Sequence, residues 1–375
     1  MNALEHTRAL VSFDSVSRVS NVPVTEHVER ALNKIGFETE RIDFIDAKGV
    51  KKANVVGKKG KGSGGLAYFG HTDVVPADDW FSDKHGPFDP TEKEGKLYGR
   101  GSCDMKGSVA CMLAAAERVS AAELKQPVYI TCTADEEVGY GGARQVAERS
   151  QLFKEMLAGN THGIIGEPTR LQVVYAHKGT MGFRATSLGR AAHSSTRNGK
   201  NANLAMIPFL VEMKAIHDEL EADPAWQNAE FDPPGLSWNI GINDFTYAVN
   251  ITAPHSICTV YFRPVPGVDP YVLIDRARRA AERAGIQFEL LHEGPPLYVD
   301  PKSPFVKDML AVTGNEAAHT VSYGTDGGIF RSLKNLVIYG PGDIAQAHTV
   351  DEWIDLKQLD LGTDMFGKLI QKWCL

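Results

Sequence analysis

Four apolar runs in the chain lead into a histidine or an acid. Leu66-Ala67-Tyr68-Phe69 leads into Gly70-His71-Thr72-Asp73, and Val128-Tyr129-Ile130-Thr131-Cys132-Thr133 into Ala134-Asp135-Glu136-Glu137. Gly163-Ile164-Ile165-Gly166 ends in Glu167, and Asn335-Leu336-Val337-Ile338-Tyr339 leads through Gly340-Pro341-Gly342 to Gln346-Ala347-His348. A further acid, Asp104, stands on the glycine-rich stretch Gly99-Arg100-Gly101-Ser102-Cys103-Asp104-Met105-Lys106-Gly107. Imidazole and carboxylate without thiolate suit zinc, with cobalt or manganese as alternatives. A two-metal hydrolase needs one carboxylate that offers an oxygen to each ion, and Asp104 is the candidate for that bridge. His71, Asp104, Glu137, Glu167 and His348 would then give each of two zinc ions one His, one Glu and half of Asp104. Three protein ligands leave room for water, which marks a catalytic site. Asp73 falls on the same side of an extended chain as His71 and suits the partner of its second ring nitrogen. Glu136 points differently from Glu137 and is left over to take a proton. The chemistry is metal-assisted hydrolysis of an amide.

Strand-like runs that alternate with helices and end in polar residues fit an open α/β sheet, which binds ligands at its strand carboxyl ends. Helices are expected over Ala3 to Phe13 and Thr25 to Ile35, and again after Asp104, where Met105, Val109, Met112, Leu113 and Ala116 recur at helical spacing. That position also gives Asp104 a competing role as a helix N-cap. From about Thr180 to His292 no strand ends in an acid cluster. The pattern there is a strand through Met181, Phe183 and Ala185, then a helix with Met206, Phe209, Leu210, Met213 and Leu220 inside. Strands at Ser237 to Ile242 and Ile257 to Arg263 come next, then a helix from Pro270 to Ala284 and a strand at Gln287 to Leu291. This β-α-β-β-α-β order is ferredoxin-like. The expected architecture is an α/β domain with a mixed, largely parallel sheet, residues 1–178 and 293–375, interrupted by an α+β domain, residues 179–292.

The 375 residues, 43% of them apolar, are enough for two cores. A net charge of -7 argues against nucleic-acid or anionic-membrane partners, which call for clustered Lys and Arg. No run approaches a membrane span, and Glu5, His6, Arg8 and Asp14 interrupt the N-terminal apolar residues, so no signal-peptide core forms. A cytoplasmic location is expected. The five cysteines lack CxxC spacing and read as reduced thiols.

The motifs Gly70 to Pro76, Gly99 to Gly107, Ala134 to Glu137, Gly166-Glu167-Pro168-Thr169 and Ala347-His348 resemble, in order, those of the M20 metallopeptidase and aminoacylase family. The resemblance runs over nearly the whole chain. It implies a zinc-exopeptidase-like catalytic domain and an inserted lid, usually the contact of a homodimer. It also implies one ion held by His71, Asp104 and Glu167, the other by Asp104, Glu137 and His348, and Glu136 as general base. Ala192-His193-Ser194-Ser195 resembles the lid motif whose His polarises the substrate carbonyl, often in the partner subunit's site. Asn250 and Arg263 resemble its substrate-contacting pair. Lys125 to Ile130, Ala176-His177-Lys178-Gly179 and Gly340-Pro341-Gly342 resemble the deacetylase branch, which implies a small N-acyl amino acid as substrate. Tyr323 to Gly328 leans instead towards the desuccinylases. A catalytically silent metal-binding protein on the same fold is the rival outside enzymology. Glu136 argues against it, because a structural site gains nothing from an uncoordinated acid.

Overall fold

The computed structural model describes residues 1–375. The chain divides into two compact units, the first made of Met1–Ala176, Tyr298–His319 and Thr325–Leu375, the second of His177–Leu297 and Thr320–Gly324.

The first unit is built on a nine-stranded mixed sheet. Along it lie Glu38–Ile45, Lys51–Lys59, Val128–Thr133, Leu66–His71, His162–Ile165, Asn335–Ile338, Val174–His177 and Leu297–Tyr298, in that order, and the ninth strand, His319–Val321, pairs with Val174–His177. The four strands from Val128–Thr133 to Asn335–Ile338 run parallel. Their register sets His71 opposite Thr133, Phe69 opposite Ile165, and Ile338 opposite Ile165, so the residues after each strand emerge along one edge. Every side chain of Leu66–His71 and Val128–Thr133 is buried. A central parallel strand is covered on both faces, which is why these segments read as continuous apolar runs. Each large aliphatic or aromatic side chain so buried contributes about 1.5–3 kcal/mol.

Helix Gly107–Glu117 packs against helices Ala3–Val11 and Leu356–Cys374. It is buried from Gly107 through Ala116, so the expected apolar stripe is in fact an apolar surface all round. Close approach also fixes Gly166, where the third parallel strand gives way to Glu167. A Cβ there would lie 2.2 Å from Tyr68 Oη and 2.5 Å from Ser108 Oγ. Any larger residue would break the exit that presents Glu167.

The second unit is a four-stranded antiparallel sheet in the order Asn239–Asn243, His255–Phe262, Thr180–Leu188, Gln287–Gly294. Helices Ala202–Ala222 and Tyr271–Ala284 pack on each other, the first also against the two central strands and the second against Gln287–Gly294. Burial alternates along His255–Phe262, as expected of a sheet with one covered face. The topology is the ferredoxin-like order read from the sequence. Thr320–Gly324 joins this unit because the Lys178 N–H donates to Val321 O. Thr320 Oγ1 and Ser322 Oγ donate to Glu230 O and Asp232 O.

Candidate metal centre

The first unit brings His71, Asp73, Asp104, Glu136, Glu137, Glu167 and His348 to one edge of its sheet. His71 Nε2 lies 3.2 Å from Asp104 Oδ1 and 3.7 Å from Glu167 Oε1. His348 Nε2 lies 3.5 Å from Asp104 Oδ2 and 3.0 Å from Glu137 Oε2. Each oxygen of Asp104 thus faces a different imidazole, and each imidazole has its own glutamate. The ligand atoms of His71, Asp104 and Glu137 all lie within 4.8 Å of one another.

Asp104 is not a helix cap. Its backbone is extended, at φ -118° and ψ 95°, and the regular helix begins only at Gly107. The turn reaches it through Gly101 at φ 82°, a left-handed conformation where a Cβ would also lie 2.6 Å from Val74 Cγ1. His348 (φ 63°) and Asp135 (φ 56°) hold the same left-handed conformation without being glycine, as residues at functional sites often do.

His71 Nδ1 is 2.9 Å from the backbone carbonyl of Asp73, while the Asp73 carboxylate stands 3.7 Å away. The sequence suggested the carboxylate as this partner, but the carbonyl takes the place. A carbonyl only accepts, so it puts the proton on Nδ1 and leaves the Nε2 lone pair free for a metal. The carboxylate is engaged elsewhere: Oδ1 accepts the Glu136 N–H at 3.2 Å, and Oδ2 accepts the Glu137 N–H at 3.4 Å and Ser17 Oγ at 2.7 Å. Asp135 turns away from the ligands to Lys52, whose Nζ is 2.6 Å from Oδ1. Lys52 also donates to Ser17 O and Val19 O.

The electrostatics suit a centre that holds cations. Burial pushes the Glu136 carboxyl well above its usual range against the pull of His71, burial and then Asp104 do the same to Glu167, and burial with Asp104 nearby raises Glu137. Although burial opposes both shifts, His71 is held well above its usual value by its bond to Asp104, and Asp104 is held low by His71 and His348. The bond to Glu137 raises His348. Three buried glutamates and an aspartate share two imidazoles, an excess of negative charge that buried groups tolerate only when paired or bound to metal. The donors are nitrogen and oxygen, since Cys103 Sγ is directed to Asp343 O at 3.3 Å. This set fits divalent ions of the zinc, cobalt or manganese type. Glu136 takes part in none of the ion pairs that join His71, Asp104, Glu137, Glu167 and His348.

His193, Asn250 and Arg263 belong to the second unit. His193 and Asn250 are neighbours there: His193 bridges to Ile251, and Ser194 N–H donates to Asn250 O at 2.9 Å. Arg263 lies over the Tyr261 ring, 5.1 Å from its centroid. Sequence reasoning missed Glu352, Arg100 and Asp326. Glu352 is buried against the Asp104 turn, paired with Arg100 at 2.9 Å. Asp326 Oδ2 accepts from Thr133 Oγ1 at 2.6 Å, and burial raises its carboxyl to about 7. The only local signal for Glu352 was its place four residues after His348.

The profile of peptidase family M20/M25/M40 matches residues 67–372. The acetylornithine deacetylase of Proteus mirabilis is 33% identical to the chain, covering 98% of it and 94% of the relative. Among solved structures, the M20 family metallo-carboxypeptidase Sso-CP2 from Sulfolobus solfataricus superposes with a TM-score of 0.78 at 17% identity, covering 99% of each chain. A dinuclear metal binding peptidase of the M20 family from Bacillus subtilis gives 0.64 at 16% identity, over 98% of this chain and 96% of its own. These likenesses and the centre at the sheet edge lead to one conclusion: the chain belongs to peptidase family M20/M25/M40 and is a metal-dependent amidohydrolase.

Proposed function

We propose that the chain hydrolyses N-acetyl-L-ornithine to L-ornithine and acetate with two zinc ions, one held by His71, Asp104 and Glu167, the other by Asp104, Glu137 and His348. The observation that carries the two-ion reading is Asp104, with Oδ1 towards His71 and Oδ2 towards His348. When bound, such ions supply Lewis acidity towards the amide carbonyl and lower the pKa of water. Glu136 takes the proton of the attacking water and passes it to the leaving nitrogen as the C–N bond breaks. Its buried, unpaired carboxylate, raised in pKa, is suited to hold that proton between the two steps. Asp73 keeps His71 in its Nε2-free tautomer through its carbonyl and fixes the Glu136–Glu137 turn through its carboxylate.

In the second unit we assign His193 to the substrate carbonyl, from the partner subunit's side, and Arg263 with Asn250 to the α-carboxylate. The Arg fork matches a carboxylate with two charge-assisted hydrogen bonds. The acetyl preference is supported by what other cations do. Lys178 Nζ is spent on Pro233 O at 2.6 Å and Gly235 O at 2.7 Å, and Arg190 Nε on Asn198 O at 2.7 Å. Both thus have backbone carbonyls as partners in the second unit. We further propose that the second unit, about residues 179–292, is the lid and forms the homodimer. Leu204, Ile207 and Val211 are exposed on its first helix, and Ile242 on its edge strand. No helix is long and apolar enough to cross a membrane, and we place the reaction in the cytoplasm, in arginine biosynthesis.

A side-by-side assay of the zinc-loaded protein tests the substrate. A higher kcat/KM for N-acetyl-L-ornithine than for N-succinyl-diaminopimelate is expected. The reverse order would replace the deacetylase by a desuccinylase and leave the centre as described.

A further inference from the structure

We propose that Glu352 is a positioning residue that aims both oxygens of Asp104 at their ions, an inference that rests on reading Asp104 as the ligand shared by two ions. Glu352 is 1% exposed. Its Oε1 accepts the N–H groups of Cys103 at 2.9 Å and Asp104 at 3.0 Å. Its Oε2 accepts the N–H of Gly101 and Arg100 Nη1, both at 2.9 Å. Four donors fill the roughly four acceptor sites of a carboxylate. Three of the four are backbone groups of the turn that carries Asp104, so Glu352 orients the peptide planes from which the Asp104 side chain projects.

The Gly99 and Arg100 N–H groups at the start of the turn donate to Glu352 O and Pro87 O, and Lys106 Nζ at its end donates to Phe13 O. Asp104 and Met105 are non-helical, and within the turn itself the backbone bonds are Ser102 N–H to Gly99 O and Lys106 N–H to Gly101 O. The Cys103 and Asp104 N–H groups would be orphans without Glu352, because a buried donor needs a partner. The carboxylate adds a buried negative charge beside an already acidic cluster. Arg100 offsets that charge and is itself tied by Nη2 to Pro76 O. Glu352 comes after His348 with only Thr349, Val350 and Asp351 between. One short segment thus delivers a ligand to one ion and fixes the ligand that both share.

A shift of this turn moves Oδ1 and Oδ2 of Asp104 together. Loss of the Glu352 carboxylate therefore weakens both ion sites in similar proportion, unlike loss of His71 or His348. Glu352→Gln is the test: its amide keeps one acceptor oxygen and turns N–H groups towards two of the four donors. Zinc titration of the metal-free, folded variant by calorimetry should show both dissociation constants raised by about 10- to 100-fold. At saturating zinc, kcat should stay at least about tenfold below the parent while KM moves by less than about threefold, since the interaction serves the chemical step.

Glu352→Asp, which keeps the charge but falls one methylene short, decides the matter if the Gln variant does not fold. Leu369→Ala, a buried change in the last helix, controls for lost stability and should leave both constants unchanged. Fewer than two ions in the parent would refute the shared-ligand reading itself. With two ions in the parent, parental zinc affinity in the Glu352 variants, weakening of one site alone, or equal weakening in Leu369→Ala would each overturn the role of Glu352.

Discussion

The Glu136 N–H donates to Asp73 Oδ1 at 3.2 Å, so the residue two places after one metal-ligand candidate holds the turn that presents the proposed base. The neighbouring Glu137 N–H uses the other oxygen. Asp73→Asn keeps one acceptor and turns its amide donors on one of these two N–H groups. We expect kcat to fall by about 10- to 100-fold with two ions still bound, as for other groups that orient ligands. Activity within twofold of the parent, measured with metal content on the same sample, would show that the turn holds itself.

Glu136→Ala should separate binding from chemistry. The variant is expected to retain both ions and lose about 100- to 10,000-fold in kcat, the range for a positioned general base. Elemental analysis beside the rate measurement checks it. Loss of a stoichiometric ion would mean that Glu136 and Glu137 have been given each other's roles.

Asp104→Ala should weaken both zinc sites, whereas His71→Ala and His348→Ala should each weaken chiefly one. Zinc titration of the three variants decides this, and two tight sites in Asp104→Ala would refute the bridge. His348 is also the more exposed imidazole, its side chain 55% accessible against 1% for His71. The ion it serves should therefore be lost first to a chelator.

Acid should destabilise the fold through His6. Burial, aided by nearby positive charge, lowers its pKa to about 4, and neither ring nitrogen has a partner. Between about pH 6.5 and 4 the unfolded chain takes up a proton on this residue that the native chain does not, so stability falls as pH falls through that window. The slope from one such group is at most about 1.4 kcal/mol per pH unit. Urea unfolding of metal-free parent and His6→Leu should show the variant gaining on the parent as pH drops from 6.5 towards 4. A pH-independent difference would refute the assignment.

The residues that meet at the sheet edge were legible in the sequence because their signal is local: a buried parallel strand is a short apolar run, and the residues just past its end are displayed at that edge. The alternation in the second unit was legible for the same reason. Strands Glu38–Ile45 and Lys51–Lys59 were not, because they carry charges that only the fold accounts for. Lys52, Asn54 and Lys59 are buried there, Lys52 against Asp135 and Lys59 against Ala116 O at 3.0 Å. Glu352 escaped notice because its partners lie some 250 residues upstream. The Asp73 carbonyl could not have been chosen over its carboxylate, since both lie the same distance along the chain.

Strand Asn335–Ile338 pairs with His162–Ile165, and the whole second unit lies between them in sequence. As the chain leaves the ribosome, His71, Asp104, Glu137 and Glu167 emerge long before His348 and Glu352, and an unpaired parallel edge waits at His162–Ile165. The intervening unit is almost contiguous and has its own sheet, so it is free to fold during that wait. On the proposed assignment, the ion that needs His348 is therefore loaded late in biogenesis. A nascent chain stalled at Lys334 should present an assembled second unit and an exposed edge, and it lacks His348, so the proposed site of Asp104, Glu137 and His348 is incomplete; tight uptake of two ions by that truncated chain would contradict this order of events.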